Sequence, residues 1–152
     1  MKGGIGMPYI IKEKTLALIP YGSKTHVLEY SNDEMIEEPL LQILEHNCIL
    51  SGSTLEGRRK GSSSLIGANY KPPIVIDEVK KLILIPTHSH RNPKCIWLVL
   101  QNILNYQIKN NQKVTVAFKN NQKIDLEISY SIFDKQVLRA ARLQSALKGR
   151  KY

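Results

Sequence analysis

GSTLEGRRKGSSSLIGANYKPPIVIDEVKKLILIPTHSHRNPKCIW, residues 52 to 97, alternates basic segments with two short, purely apolar runs, and its reading decides the fold. Gly57-Arg58-Arg59-Lys60-Gly61 sets three cations between two glycines. That composition lets the backbone take φ > 0 at either end and come close to an anion such as phosphate. Residues 51 to 68 are rich in Ser and Gly and read as loop. Pro72 and Pro73 then pin the start of a strand, Ile74-Val75-Ile76, because a residue before proline is pushed out of the helical region. Asp77 to Lys81 supplies the turn into a second strand, Leu82 to Ile85. A second basic turn, His88-Ser89-His90-Arg91-Asn92-Pro93-Lys94, leads to the β-formers Ile96 and Trp97. The pattern places both basic turns at one end of a sheet.

The flanks extend that sheet. Tyr9 to Ile19 reads as a strand stopped by Pro20-Tyr21-Gly22, with Thr25 to Tyr30 pairing back as a hairpin. Ser31-Asn32-Asp33-Glu34 supplies capping residues and acids, and Pro39 marks the first turn of a short helix over about 39 to 46, whose acidic start suits the helix dipole. Cys95 to Leu100 and Ile103 to Ile108 read as strands. Val114 to Phe118 and Lys123 to Ile128 read as a hairpin around Lys119-Asn120-Asn121-Gln122. No internal repeat is read. The last element is a helix from Ile132 or Asp134 to Lys148, ended by Gly149. Phe133, Val137, Ala140, Ala141 and Leu147 share its apolar face, and Lys135, Arg139 and Arg142 share a basic one. The expected fold class is α+β: a mainly antiparallel sheet, a short central helix and a C-terminal basic amphipathic helix.

Length and charge bound the function. At 152 residues the chain reads as one domain over residues 7–152, able to bury about 68–70% of its unfolded surface, with Met1 to Gly6 a disordered leader. The start lacks the apolar core of a signal peptide, and no apolar run is long enough to span a bilayer. Cys48 and Cys95 lie far apart without CxxC spacing, which fits reduced thiols in the cytoplasm. Net charge is +9, so polyanions lead the partner classes. The charge is uneven: residues 25 to 57 hold seven carboxylates and no Lys or Arg. The rest carries 22 Lys and Arg against the other six carboxylates, a net of +16. A polyanion then meets the basic body, while the acidic segment faces away or meets a basic surface of a partner. From Asp134 to Tyr152 six cations face one acid.

No constellation supports an enzyme, a cofactor or a metal. His88, His90 and Cys95, or His46 and Cys48, offer zinc-type ligands, but not as two well-spaced couples. Neither cysteine has an oriented base and third partner in sight. Asp77 and Glu78 beside two lysines read as turn chemistry. Large aromatics are missing from the apolar side of the last helix after Phe133, which argues against a membrane-surface helix.

Several blocks together resemble one family, the ComK-type competence transcription factors of Gram-positive bacteria. They are Asn47-Cys48 with Gly52-Ser53; Gly57-Arg58 and Gly61; Lys71-Pro72-Pro73-Ile74-Val75-Ile76-Asp77; Pro86-Thr87 with Arg91-Asn92-Pro93-Lys94-Cys95-Ile96-Trp97; and Ile128-Ser129-Tyr130 with Phe133, Gln136, Val137, Arg139 and Ala140. Order and spacing agree from about Pro39 to Leu143. The resemblance implies a cytoplasmic activator that recognises paired AT-rich boxes largely through the minor groove, binds duplex DNA as a dimer or tetramer, works with RNA polymerase, and drives genes for DNA uptake. Family members carry a further C-terminal tail, used in regulated proteolysis and in activation, where this chain stops. The expectation is that adaptor-protease control does not carry over.

With that family in view, Arg58, Arg59 and Lys60 are the first choice for DNA contact, since arginines inserted in a narrow A-tract groove read its width. Lys94 fits phosphate contact and Arg91 either role. Lys71 reads equally as a phosphate clamp or a strand cap. Lys135, Arg139 and Arg142 fit a phosphate track or an ordinary exposed helix face. Each basic segment also reads as a solvated surface. The alternatives are an RNA or single-strand-binding β module with Tyr70 and Trp97 stacked on bases, and a protein-interaction module using the acidic 29 to 45 segment.

Overall fold

A computed structural model describes residues 8–149. Among the described residues, nine strands and three α-helices make an α+β fold whose strand pairs are all antiparallel. β1 (Thr15–Tyr21), β2 (Lys24–Glu29) and β3 (Asp33–Ile36) form a meander. After α1 (Leu40–Leu50) and α2 (Leu55–Ile66) come β4 (Ile74–Asp77), β5 (Leu82–Pro86) and β6 (Trp97–Val99), which complete a six-stranded sheet ordered β3-β2-β1-β6-β5-β4. A 3-10 turn at Leu100–Asn102 leads to β7 (Ile103–Asn110), β8 (Lys113–Phe118) and β9 (Lys123–Leu126), a separate three-stranded sheet. α3 (Tyr130–Lys148) closes the fold.

The alternating hairpins form where the apolar period of two predicts them. Leu16, Val114, Val116, Phe118 and Phe133 share one core between β1, the small sheet and α3. Trp97, Ile43, Leu44, Ile74 and Leu84 share another under α1. Ile66, Ile83, Ile85, Ala140 and Leu143 tie α2, β5 and α3 together. Each fully buried Leu, Ile or Phe contributes about 1.5–3 kcal/mol of transfer free energy, so α3 is anchored at both halves.

Other segments differ from expectation. Residues 55 to 66 are a helix, not a loop. Its glycines and serines have low helix propensity, but Thr54 caps the N-terminus, Gly67 closes the C-terminus at φ 69, and Leu55, Ser62 and Ile66 pack inward. Asp33 and Glu34 belong to β3 and cap nothing. α1 runs on to Leu50 and has no acid in its first turn, so the dipole pairing expected there is absent. Residues 9 to 14 lie outside β1, which begins at Thr15 and contains Pro20. The strand expected from Cys95 is confined to Trp97–Val99. α3 starts at Tyr130, where Ser129 Oγ accepts the Ile132 amide. Ala141 is exposed, and the buried face of α3 is Phe133, Gln136, Ala140 and Leu143. A short repeat also exists: Lys-Asn-Asn-Gln-Lys occurs at 109–113 and 119–123, at the two ends of β8. In both copies the first Asn accepts the Gln backbone amide, Asn110 from Gln112 at 2.8 Å and Asn120 from Gln122 at 3.0 Å. The leader expected at Met1 to Gly6 lies outside the described residues.

Candidate nucleic-acid interface

Helical geometry sorts the cations of residues 57 to 61 into two groups. Leu55, Arg58, Ser62 and Ile66 recur at spacings of three and four and turn inward. The Arg58 side chain is 11% exposed, and its Nη1 donates to Glu78 Oε1 at 2.6 Å, linking α2 to the β4–β5 turn. Its buried Nε has no partner among the described residues. The expected glycine-flanked turn entering a groove is therefore not the local structure. Neither Gly57 nor Gly61 has positive φ, and Arg58 is engaged inside the molecule. Gly57 serves the cap instead: a Cβ there would lie 3.1 Å from Thr54 Oγ1, which accepts the Gly57 amide at 2.9 Å.

Arg59, Lys60, Ser63 and Ser64 occupy the outward side of α2. With Glu56 and Asn69 they line an open groove of about 360 Å³. Arg59 Nη1 donates to Glu56 Oε1 at 3.0 Å, and Lys60 is exposed.

Gln136 joins the second group of cations. It is buried on α3, and its Nε2 donates to the Lys71 carbonyl at 3.0 Å and to the Pro86 carbonyl at 2.8 Å. Its Oε1 accepts from Arg139 Nη1 at 2.8 Å. One amide thus fixes the strand lead-in at Lys71, the end of β5 before the second basic turn, and the guanidinium of α3. Lys71 takes φ 51, a left-handed conformation rare for a side-chain-bearing residue, and this clamp holds it there. Its Nζ lies 5.5 Å from the Tyr70 ring centroid. Arg139 also donates to the Tyr70 carbonyl at 3.3 Å, and Arg142 to the Ile66 carbonyl at 3.4 Å, where a cation complements the C-terminal end of α2.

The second basic turn forms as expected, with Arg91 and Lys94 exposed. The charges of these segments act on the two histidines of this turn. Burial, then Lys71 and Lys94, hold the His88 pKa below its ordinary value. Burial, then Arg59 and Arg91, do the same to His90. Burial and then Arg139 lower the Lys71 pKa. With the Gln136, Arg139 and Arg142 hydrogen bonds, residues from α2, the 71 lead-in, the 88–94 turn and α3 come together, with His88 and His90 among them. Among the described residues, Lys60, Lys71, Arg91, Lys94, Lys135, Arg139 and Arg142 pair with no carboxylate. Lys135 is exposed on the first half of α3, and no contact links it to the cluster.

Gln136 carries no role in the sequence pattern alone, although a lone amide in the apolar row Phe133, Ala140, Leu143 is a readable signal. Of the two aromatics that the single-strand alternative would stack on bases, Trp97 is 1% exposed, in the core between β1 and β5, while Tyr70 is exposed. The acids of the 25–57 segment are spent partly on local pairs, Glu37 with Lys24 and Asp33 with His26. Cys48 and Cys95 are free and buried, and burial pushes the Cys48 thiol up to about 11. The Cys95 thiol donates to the His88 carbonyl at 3.2 Å and so braces the basic turn.

The α+β fold gathers unpaired cations from four segments onto a small, highly basic chain, an arrangement whose charge complements a polyanion. A model of the ComK protein family matches residues 7–151, and the chain belongs to that family. It is 32% identical over 110 residues to the competence transcription factor of Bacillus subtilis strain 168, which covers 72% of this chain. The match spans 57% of that relative's length. No solved structure matches.

Proposed function

We propose that the chain is a cytoplasmic, non-enzymatic DNA-binding activator of competence genes, with residues 7–152 acting as one DNA-binding unit that reads paired AT-rich boxes largely through the minor groove. The observation that carries this reading is the convergence of four basic segments: the Gln136 amide ties the Lys71 lead-in and the end of β5 to Arg139 of α3, Lys71 and Lys94 act on His88, and Arg59 and Arg91 act on His90. Cations left without carboxylates are free to exchange their counterions for phosphates, and Arg59 would exchange its Glu56 partner for one. Arg59, Lys60, Lys71, Arg91, Lys94, Lys135 and Arg139 are the contacts in this reading. Arg142 braces α2 and supports them. Arg58 sets the position of α2 through Glu78 and adds positive field from behind.

Fluorescence anisotropy tests it, using a duplex with paired A-run and T-run boxes, a GC-rich duplex of equal length and a single strand, at two salt concentrations. Tighter binding to the AT duplex that survives the higher salt is expected, with Arg91→Glu and Lys94→Glu together removing it. Equal binding to all three, erased by salt, would overturn the reading in favour of a generic polyanion surface. Preference for the single strand would favour the β-module alternative, which keeps only Tyr70 of its two stacking residues at the surface.

A further inference from the structure

The three-stranded sheet leaves one long edge open. An edge strand presents unpaired N–H and C=O groups, and folds blunt such edges with charge, short length or cover. Three of the four sheet edges are blunted in this way. β3 has four residues and carries Asp33 and Glu34; β4 has four and ends in Asp77; β9 has four and carries Lys123 and Asp125. β7 has eight residues, no proline, and no charge before Lys109. Leu104 and Ile108 on it are 55% and 67% exposed, and among the described residues β7 is paired with β8 alone. Lys109 itself is ion-paired with Asp125.

The strand is also complementary to itself. Its sequence from Leu104 is Leu-Asn-Tyr-Gln-Ile, symmetric in chemistry about Tyr106. β7 keeps a regular register with β8 from Asn105 to Ile108 and bulges at Leu104 and Lys109; in an antiparallel pairing about a two-fold axis at Tyr106, Asn105 stands opposite the partner's Gln107, and Ile108 lies beside the partner's Leu104. Opposed amides hydrogen-bond, and opposed aliphatic side chains bury one another. The stretch Ile103 to Ile108 is uncharged, so a chain of net charge +9 meets a second copy here without like charges in register.

We propose that β7 pairs antiparallel with β7 of a second copy, joining two three-stranded sheets into one of six strands, an isologous interface that closes on itself. The inference goes beyond the DNA reading and is measured without nucleic acid, so either can fail alone.

Sedimentation equilibrium of the full chain over a concentration series is the first measurement. A reversible dimer of twice 17.3 kDa is expected. Ile108→Lys should weaken it at least tenfold while circular-dichroism melting stays unchanged, because the side chain is exposed. The second arm fixes the register and holds even if Ile108→Lys perturbs folding. Asn105→Cys chains mixed with Gln107→Cys chains should cross-link on oxidation, since opposed Cα atoms lie about 4.5–5.5 Å apart, within disulfide reach. Either variant alone should stay uncross-linked, and the native cysteines are buried. A monomer at every concentration, an Ile108→Lys dimer as strong as the parent, or cross-linking no better in the mixture than alone would each overturn the proposal.

Discussion

Arg58 and Arg91 carry the same charge on the same basic chain, yet their surroundings separate them. Arg58 is nearly buried against Glu78, whereas Arg91 is exposed and unpaired among the described residues. Arg58→Ala removes a charge-assisted hydrogen bond and should cost about 1.5–3 kcal/mol of stability in urea unfolding. Arg91→Ala should change stability by no more than about 0.5 kcal/mol. In the proposed interface it should weaken DNA binding and flatten the salt dependence by about 0.9 log units per log salt. If Arg58→Ala melts like the parent, the ion pair is not structural. His88 and His90 add a pH dependence whose sign can be worked out. Their folded pKa values are lowered, so the free protein disfavours their charged forms. Stability is then full above the ordinary value of 6.5 and falls as pH drops below it. Bound phosphate reverses the field that Lys71, Lys94, Arg59 and Arg91 impose, against the weaker opposition of Glu127 and Glu56, and raises both pKa values. DNA affinity should therefore rise as pH falls from about 7.5 to 6 at constant ionic strength. A His88→Gln, His90→Gln double variant should give a flatter profile, and an unchanged slope would place both rings outside the contact.

At the scale of the element, α2 is where sequence reading and structure part most. A glycine needed for φ > 0 and a glycine inside a helix respond oppositely to alanine. In α2 a Cβ at Gly61 meets nothing within 4 Å, so Gly61→Ala should stabilise the protein by about 0.5–1 kcal/mol in urea unfolding. Gly57→Ala should gain little or lose, because its Cβ would press on the Thr54 and Ser53 hydroxyls at 3.1 and 3.2 Å. Destabilisation by both would restore the turn. The helix was hard to read because its local signals point to loop; what decides it is tertiary, the inward packing of Leu55, Ser62 and Ile66 together with two good caps. The strands of the 74 to 85 and 114 to 126 hairpins were legible because apolar runs bounded by turn residues report the fold directly. β3 was not, since a polar edge strand lacks that contrast. For the candidate site, the residue types were legible and their sorting was not: no spacing rule alone shows that Arg58 faces inward or that one buried amide, Gln136, joins Lys71, Pro86 and Arg139.

At the scale of the whole molecule, the acids of residues 25 to 57 sit largely in the β2–β3–α1 region, while the cations of the candidate interface come from α2, the 71 and 88–94 segments and α3; Lys14, Lys80, Lys81, Lys113, Lys119 and Lys123, also without a carboxylate partner among the described residues, lie outside it. Such a division favours oriented approach to a duplex and a steep salt dependence. With the seven proposed contacts as an upper bound, one copy should show a log–log slope of about −3 to −6. Slope measures charge and is blind to which groove is read. A base-pair substitution separates the two. Replacing A·T by inosine·cytosine leaves the minor groove without the guanine amino group, while the major groove presents the pattern of G·C. If the cations enter a minor groove, boxes carrying inosine·cytosine should bind within about threefold of the A·T boxes. Boxes carrying G·C should bind about tenfold or more weakly, in line with a cost of about 1–3 kcal/mol per disfavoured pair. Anisotropy titrations at one salt concentration give the answer. Inosine·cytosine behaving like G·C would move recognition to the major groove, where an exposed helix face, here that of α2 with Arg59 and Lys60, would be the element to carry it.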